Sequence, residues 1–162
     1  MNEFFFDEIR NGDFKEVKAM LAKNPVLLNS KDERGSTPLI LATYCDEPEI
    51  VDLLLAQGAK IDAKDASGNT ALMGVCFKGY TDLAKKLIEH GANVNERNAM
   101  GANCLIYAIT FNREEIAKLL LENGADKSVK DVRGDTALDH AKIQGLPNLV
   151  ALLETAGHKD NH

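Results

Sequence analysis

A five-residue phrase that returns every 33 residues constrains this chain more than any other feature. Its glycines stand at positions 35, 68, 101 and 134. The four copies are Gly35-Ser36-Thr37-Pro38-Leu39, Gly68-Asn69-Thr70-Ala71-Leu72, Gly101-Ala102-Asn103-Cys104-Leu105 and Gly134-Asp135-Thr136-Ala137-Leu138. A chain that repeats at such a period folds as an array of small stacked units, and such arrays present a surface more often than a catalytic pocket.

Three further series of residues keep the same register. They are Asp32, Asp65, Asn98 and Asp131; Leu21, Leu54, Leu87, Leu120 and Leu153; and Gly58-Ala59, Gly91-Ala92 and Gly124-Ala125. From these series we predict a single domain over residues 1–162 that contains five units. The predicted division is an N-terminal capping unit, 1–31, three full units, 32–64, 65–97 and 98–130, and a C-terminal capping unit, 131–162.

Each full unit is predicted to contain two helices. The third residue of the phrase is a threonine or an asparagine, which are good N-cap residues, and Pro38 suits the first helical position. In the second helix Leu83, Ala84 and Leu87 have the spacing of one buried stripe. Gly58 and its equivalents favour the left-handed backbone that ends this helix. The polar stretch that follows is predicted to project as a hairpin finger.

The pattern Asp-x-x-Gly-x-Thr-(Pro/Ala)-Leu, with Gly-Ala after the second helix, resembles the ankyrin repeat. Residues 32–39 match the opening of that repeat directly. The resemblance covers essentially the whole chain and implies an all-α repeat solenoid of helix-turn-helix units with short β-hairpin fingers, here five stacked repeats. Family members often carry a histidine after the leucine, whereas this chain has Ile40, Met73, Ile106 and Asp139 there.

Composition excludes some classes of partner. The net charge of −6 and the pI near 5.2 argue against nucleic acid, which is bound mainly through clustered lysine and arginine. No stretch approaches the length of a membrane span, and the N-terminus does not resemble a signal peptide. Three cysteines without paired spacing favour reduced thiols. We therefore predict a cytoplasmic protein, or a periplasmic or secreted one if an export signal was removed.

Catalysis is the competing class of function. Cys104 and His140, with Asp139 beside it, suggest a cysteine-dependent enzyme. However, Cys104 follows an N-cap and has no activating partner nearby in the sequence. The chain contains no His-Glu-x-x-His or Cys-x-x-Cys, and every glycine that could form a phosphate loop is already used by the repeat. We therefore expect no enzymatic activity, no cofactor and no metal.

The resemblance implies that a partner protein contacts the fingertips and the exposed side of the first helices, which together form a concave face. We call these positions the finger–helix surface. Its predicted binding residues are Arg34, Tyr44, Ser67, Asn69, Phe77, Lys78, Met100, Thr110, Phe111, Arg133 and Ile143. Exposed aromatic side chains there would favour binding. In the alternative interpretation, the rings fill space between units.

We predict a non-catalytic protein–protein interaction module that is monomeric when free. It would serve as an adaptor or as an inhibitory or protective subunit, and the identity of the partner stays open. A self-associating structural module is the second alternative.

Overall fold

The computed structural model describes residues 2–159, and the side chains of residues 3–155. Residues 2–159 form ten α-helices, with one 3₁₀ helix, Pro25–Asn29, after the second. The α-helices are α1 (Asn2–Arg10), α2 (Phe14–Lys23), α3 (Pro38–Tyr44), α4 (Pro48–Ala56), α5 (Ala71–Lys78), α6 (Thr81–Glu89), α7 (Cys104–Thr110), α8 (Glu114–Glu122), α9 (Ala137–Ile143) and α10 (Pro147–Lys159).

The helices form two layers along one stack. Odd-numbered helices each pack on the next odd-numbered helix, and each also packs on the even-numbered helix that follows it in the chain. The leucines of the 33-residue series lie in the core, where Leu54, Leu87 and Leu120 are fully buried. This arrangement confirms the predicted all-α repeat solenoid. The division into five units at the boundaries given above remains a prediction.

The predicted N-caps of the first helices are confirmed. Thr37, Thr70, Asn103 and Thr136 each accept a hydrogen bond from the backbone amide three residues ahead. Thr70 and Asn103 are buried, so these bonds satisfy amides that water does not reach. In α9 the cap is reciprocal, because Asp139 also accepts from the Thr136 amide. The starts of α3, α5, α7 and α9 are therefore fixed by the phrase itself.

The finger segments differ from the predicted β-hairpins. The part of the chain that the structure describes contains turns at 32–36, 65–69, 98–102 and 131–135, and no β-strand. In each turn the Asp or Asn side chain that begins it accepts hydrogen bonds from two backbone amides. Asp65 Oδ1, for example, accepts from the amides of Ser67 and Asn69, both at 2.9 Å. These local bonds use amides that a strand ladder would need. The fingers are therefore Asx turns.

Neighbouring fingers are joined by single backbone hydrogen bonds. The Ala99 amide donates to the Ser67 carbonyl at 3.0 Å, and equivalent bonds join the fingers before and after it. The approach is close at Gly68, where a Cβ atom would lie 3.0 Å from the Ala99 nitrogen. Gly68 also has φ of +81°, which side chains disfavour. The fingers consequently form a continuous row beside the first helices.

Within residues 2–159, each helix falls short of the length and apolar character that crossing a bilayer requires.

Candidate protein-binding surface

The large apolar side chains predicted on the finger–helix surface are exposed. The exposed fractions are 46% for Tyr44, 39% for Phe77, 56% for Met100, 37% for Phe111 and 72% for Ile143. Each of the three rings keeps more than a third of its surface exposed, so none is a fully buried core residue. The side chains are therefore accessible to a partner.

Two of the rings pack against each other across neighbouring units. Phe77 at the end of α5 and Phe111 just after α7 have centroids 4.7 Å apart and planes at 88°, an edge-to-face contact. Tyr107 lies 6.1 Å from Phe111 in a tilted arrangement. Edge-to-face pairs are favoured by the aromatic quadrupole. The pair is thus held in place while both rings keep exposed area.

The end of α7 positions Phe111. Its backbone amide donates to the Tyr107 carbonyl, and Asn112 then turns the chain with φ of +57°. Arg113 reaches back to α5, where its guanidinium donates to the Phe77 carbonyl at 2.9 Å. Because this bond joins the turn between α7 and α8 to the end of α5, it fixes the backbone that carries the aromatic pair.

Lys78 brings a positive charge to the same surface. Its Nζ lies 4.7 Å from the centroid of the Tyr44 ring and 5.8 Å from that of Tyr80. Both distances are within the range of cation–π attraction. The half-buried Thr110 occupies the position equivalent to Tyr44 and Phe77, one place before Phe111. The centre of the surface therefore combines three rings with one ammonium group.

The fingertip residues behave differently from one another. Arg34, Ser67 and Arg133 are exposed, as a contact residue must be. Asn69 is only partly exposed, and its Oδ1 accepts from Asn98 Nδ2 at 2.8 Å and from the Tyr107 hydroxyl at 3.3 Å. Asn69 therefore helps to join two fingers to α7. Its amide oxygen is committed to that network.

Tyr107 is the residue that sequence reasoning missed. Its ring lies against that of Phe111, and its hydroxyl accepts a 2.7 Å hydrogen bond from Nδ2 of Asn98, which also binds Asn69. Burial raises the pKa of Tyr107, so the hydroxyl stays protonated and able to donate. The spacing of four between Tyr107 and Phe111 was the available signal, because residues four apart share a helix face.

The residues of the cysteine-enzyme hypothesis are engaged elsewhere. Cys104 is fully buried beside Cys76, and a hydrogen bond with Cys104 together with burial raises the pKa of Cys76 well above its ordinary value. Asp139 caps α9. The His140 ring donates from Nε2 to Asp131 Oδ2 at 2.8 Å. The pairing of Cys104, His140 and Asp139 that the hypothesis requires is not formed.

Among the described side chains, Asp131, Asp135 and His140 form a cluster whose possible ligand atoms lie within 4.8 Å of one another, close enough for a metal ion. Burial acts to raise the pKa of Asp131, but hydrogen bonds from His140 and from the amides of Asp135 and Arg133 outweigh it and lower that pKa. Both Asp131 oxygens are thus already bonded. The same place in the preceding unit holds the Asn98–Tyr107 bond, so the contact belongs to the repeat framework.

Stacked helix pairs with capped first helices, and a row of Asx-turn fingers beside them, define a helical repeat protein. Residues 62–131 match the family model described as ankyrin repeats (3 copies), and residues 20–75 match that described as ankyrin repeats (many copies). The chain belongs to the ankyrin-repeat family. Ankyrin repeats generally mediate protein–protein interactions.

Proposed function

We propose that this chain is a non-catalytic protein that binds another protein through the finger–helix surface as its concave face, with Phe77 and Phe111 at the centre of contact. The role that fits is an adaptor or an inhibitory or protective subunit. The partner differs from the chain itself, and the chain is a monomer when free. The cytoplasm, where its thiols would stay reduced, is the compartment we propose.

The distribution of exposed apolar side chains carries this proposal. Eight large hydrophobic residues are exposed among the described side chains, and six of them occupy the finger–helix surface. The six are Tyr44, Phe77, Met100, Phe111, Val132 and Ile143. Clustered apolar exposure on one surface is typical of interaction sites, whereas single exposed apolar residues need no explanation.

The aromatic pair is the part of this surface best suited to be a hot spot. Phe77 and Phe111 are held by each other, by Tyr107 and by the Arg113 bond to the Phe77 carbonyl. Little side-chain entropy remains to be lost when a partner covers them, which favours affinity. Aromatic residues also dominate the energetics of protein interfaces.

The test compares the wild-type chain with a double variant, Phe77→Ala with Phe111→Ala, in capture from an extract of the source cells. Proteins that bind the wild type and are lost by the double variant are identified by mass spectrometry, and one is then purified and titrated. We expect affinity to fall at least about 100-fold, since each hot-spot truncation costs roughly 2 kcal/mol or more. Circular dichroism is expected to show an intact fold.

Val26→Ala supplies the matched control, because Val26 is exposed but lies in the 3₁₀ helix outside the finger–helix surface. This variant is expected to capture the same proteins as the wild type. Equal capture by the aromatic double variant would refute the proposal. So would its thermal unfolding at a much lower temperature than Val26→Ala, because the rings would then be core residues.

Self-association is tested separately by light scattering of the purified chain. A mass that stays monomeric up to high concentration supports a partner of another kind. A dimer that dissociates in the aromatic double variant would show that the surface binds a second copy.

A further inference from the structure

We infer that the partner segment seated on the finger–helix surface is acidic as well as apolar, with a carboxylate that faces Lys78. This inference rests on the proposed function and specifies the chemistry of the partner. It follows from how the charges of an acidic chain are distributed over its two helix layers.

The three central first helices, α3, α5 and α7, lack the acidity of the rest of the molecule, whereas α9, which carries Ile143, contains Asp139 and Lys142. Lys78 is the only charged residue within α3, α5 and α7. The second helices α4, α6 and α8, which pack behind them, contain seven acidic and three basic residues. Although the whole chain has a net charge of −6, the centre of the proposed contact is positive.

Lys78 forms no ion pair within the described residues, whereas two of the three lysines of α4, α6 and α8 do. Lys86 pairs with Asp52 at 2.7 Å, and Lys118 pairs with Glu114 at 3.3 Å. Among the described residues no carboxylate lies within 4 Å of the Lys78 ammonium, which faces the Tyr44 and Tyr80 rings instead. A partner carboxylate would add an ion pair that the free chain does not satisfy internally.

The fingertips extend the same pattern. Arg34 and Arg133 are exposed at the first and last fingers, and neither forms an ion pair within the described part of the chain. The fingertips between them, Ala66, Ser67, Ala99 and Met100, are uncharged. A segment lying along the row would meet apolar atoms in the middle and a cation near each end. The acidic residues at fingertip positions are Glu33, next to Arg34, and Asp135, in the cluster with His140.

Charge complementarity therefore favours an acidic–apolar protein segment over the other possible occupants. A basic segment would be repelled by Lys78, and the carboxylates that could pair with it lie on the outer helices α4, α6 and α8. A nucleic acid would need more cations on this surface than Arg34, Lys78 and Arg133 supply.

The experiment selects, on the chain of residues 1–162, from a phage-displayed library of random 12-residue peptides. We expect the selected peptides to combine aromatic or aliphatic residues with aspartate or glutamate, and to lose binding to Phe77→Ala with Phe111→Ala. A synthetic copy of the most enriched peptide is then titrated. Lys78→Glu is expected to weaken its binding at least tenfold and Lys78→Gln by a smaller factor, whereas Lys78→Arg retains it.

Lys85→Glu is the matched charge control, since Lys85 is an exposed lysine on the outer helix α6. It is expected to leave the affinity within about twofold, and added salt should weaken wild-type binding more than Lys78→Gln binding. A thermal melt of each variant checks that the fold persists.

The outcomes separate the two proposals. Selected peptides that need the aromatic pair but show no acidic enrichment, or an affinity indifferent to Lys78→Glu, would overturn the inference and leave the proposed function standing. Tight, Lys78-dependent binding of a single-stranded DNA oligonucleotide would also overturn it, in favour of phosphate recognition. If no selected peptide depends on Phe77 and Phe111, both proposals fail.

Discussion

The segments 98–111 and 131–144 occupy equivalent places in consecutive units, yet they differ in chemistry. In the inner segment Asn98 Nδ2 donates to the Tyr107 hydroxyl at 2.7 Å. In the outer one the His140 ring donates to Asp131 at 2.8 Å. The two contacts join the same two positions of the repeat, nine residues apart, once through neutral groups and once through an ionised carboxylate.

The surroundings of the two segments differ as well. Gly101 approaches the backbone of the following finger, whereas a Cβ atom at Gly134 would have no described atom within 4 Å. Phe111 packs against Phe77, whereas the equivalent residue of the later segment is Gln144. The contact between the two framework positions thus recurs in both units, whereas side chains at other positions, such as Phe111 and Gln144, differ between them. The exposed aromatic rings are concentrated in the inner units.

Burial provides the largest test of this difference. Leu105→Ala in α7 removes a fully buried side chain of the core, and we expect it to lower the free energy of unfolding by about 2–5 kcal/mol. The equivalent change in α9, Leu138→Ala, should cost less because Leu138 is already partly exposed. Urea unfolding followed by circular dichroism measures both. Equal losses would mean that the last unit is packed as tightly as the inner ones.

The finger row provides a smaller test. Gly68 and Gly134 both have positive φ, at +81° and +83°, so an alanine at either place costs about 1–3 kcal/mol in backbone strain. Only at Gly68 would the new Cβ also press on the next finger, at the Ala99 nitrogen. Gly68→Ala is therefore expected to destabilise the chain more than Gly134→Ala. If the two variants unfold at the same urea concentration, the contact between fingers adds nothing to stability.

The repeat framework could be predicted because its physical causes are local. An N-cap, a left-handed glycine and a buried leucine stripe each depend on a few neighbouring residues, and their recurrence every 33 residues made them visible. The predicted β-hairpin fingers are not confirmed, for an equally local reason. The Asx side chains that start each finger also take the amides that strands would have shared.

Contacts between units could not be predicted in the same way. Phe77 and Phe111 were predicted on one surface, but their 4.7 Å pairing depends on how α5 stacks on α7. The sequence placed His140 next to Asp139, yet consecutive helical residues point in different directions. Asp139 instead caps α9, and His140 meets Asp131 across the finger.

Acid titration provides the smallest and most specific test of the two equivalent contacts. Hydrogen bonds from His140 and two backbone amides hold the pKa of Asp131 below its ordinary value of about 3.9, despite the opposing effect of burial. A carboxyl group whose pKa is lower in the folded chain stabilises the fold above its unfolded pKa, and this contribution is lost as the pH falls through the folded value. Asp131→Asn keeps an acceptor for the amides and cannot titrate, so its stability should fall less than that of the wild type between about pH 5 and pH 2.

Asn98→Asp is the reciprocal variant: it loses the amide that donates to Asn69 and Tyr107, and it should destabilise the inner unit already at neutral pH. If the wild type and Asp131→Asn lose stability equally as the pH falls, the contact between Asp131 and His140 adds no pH-dependent stability to the folded chain.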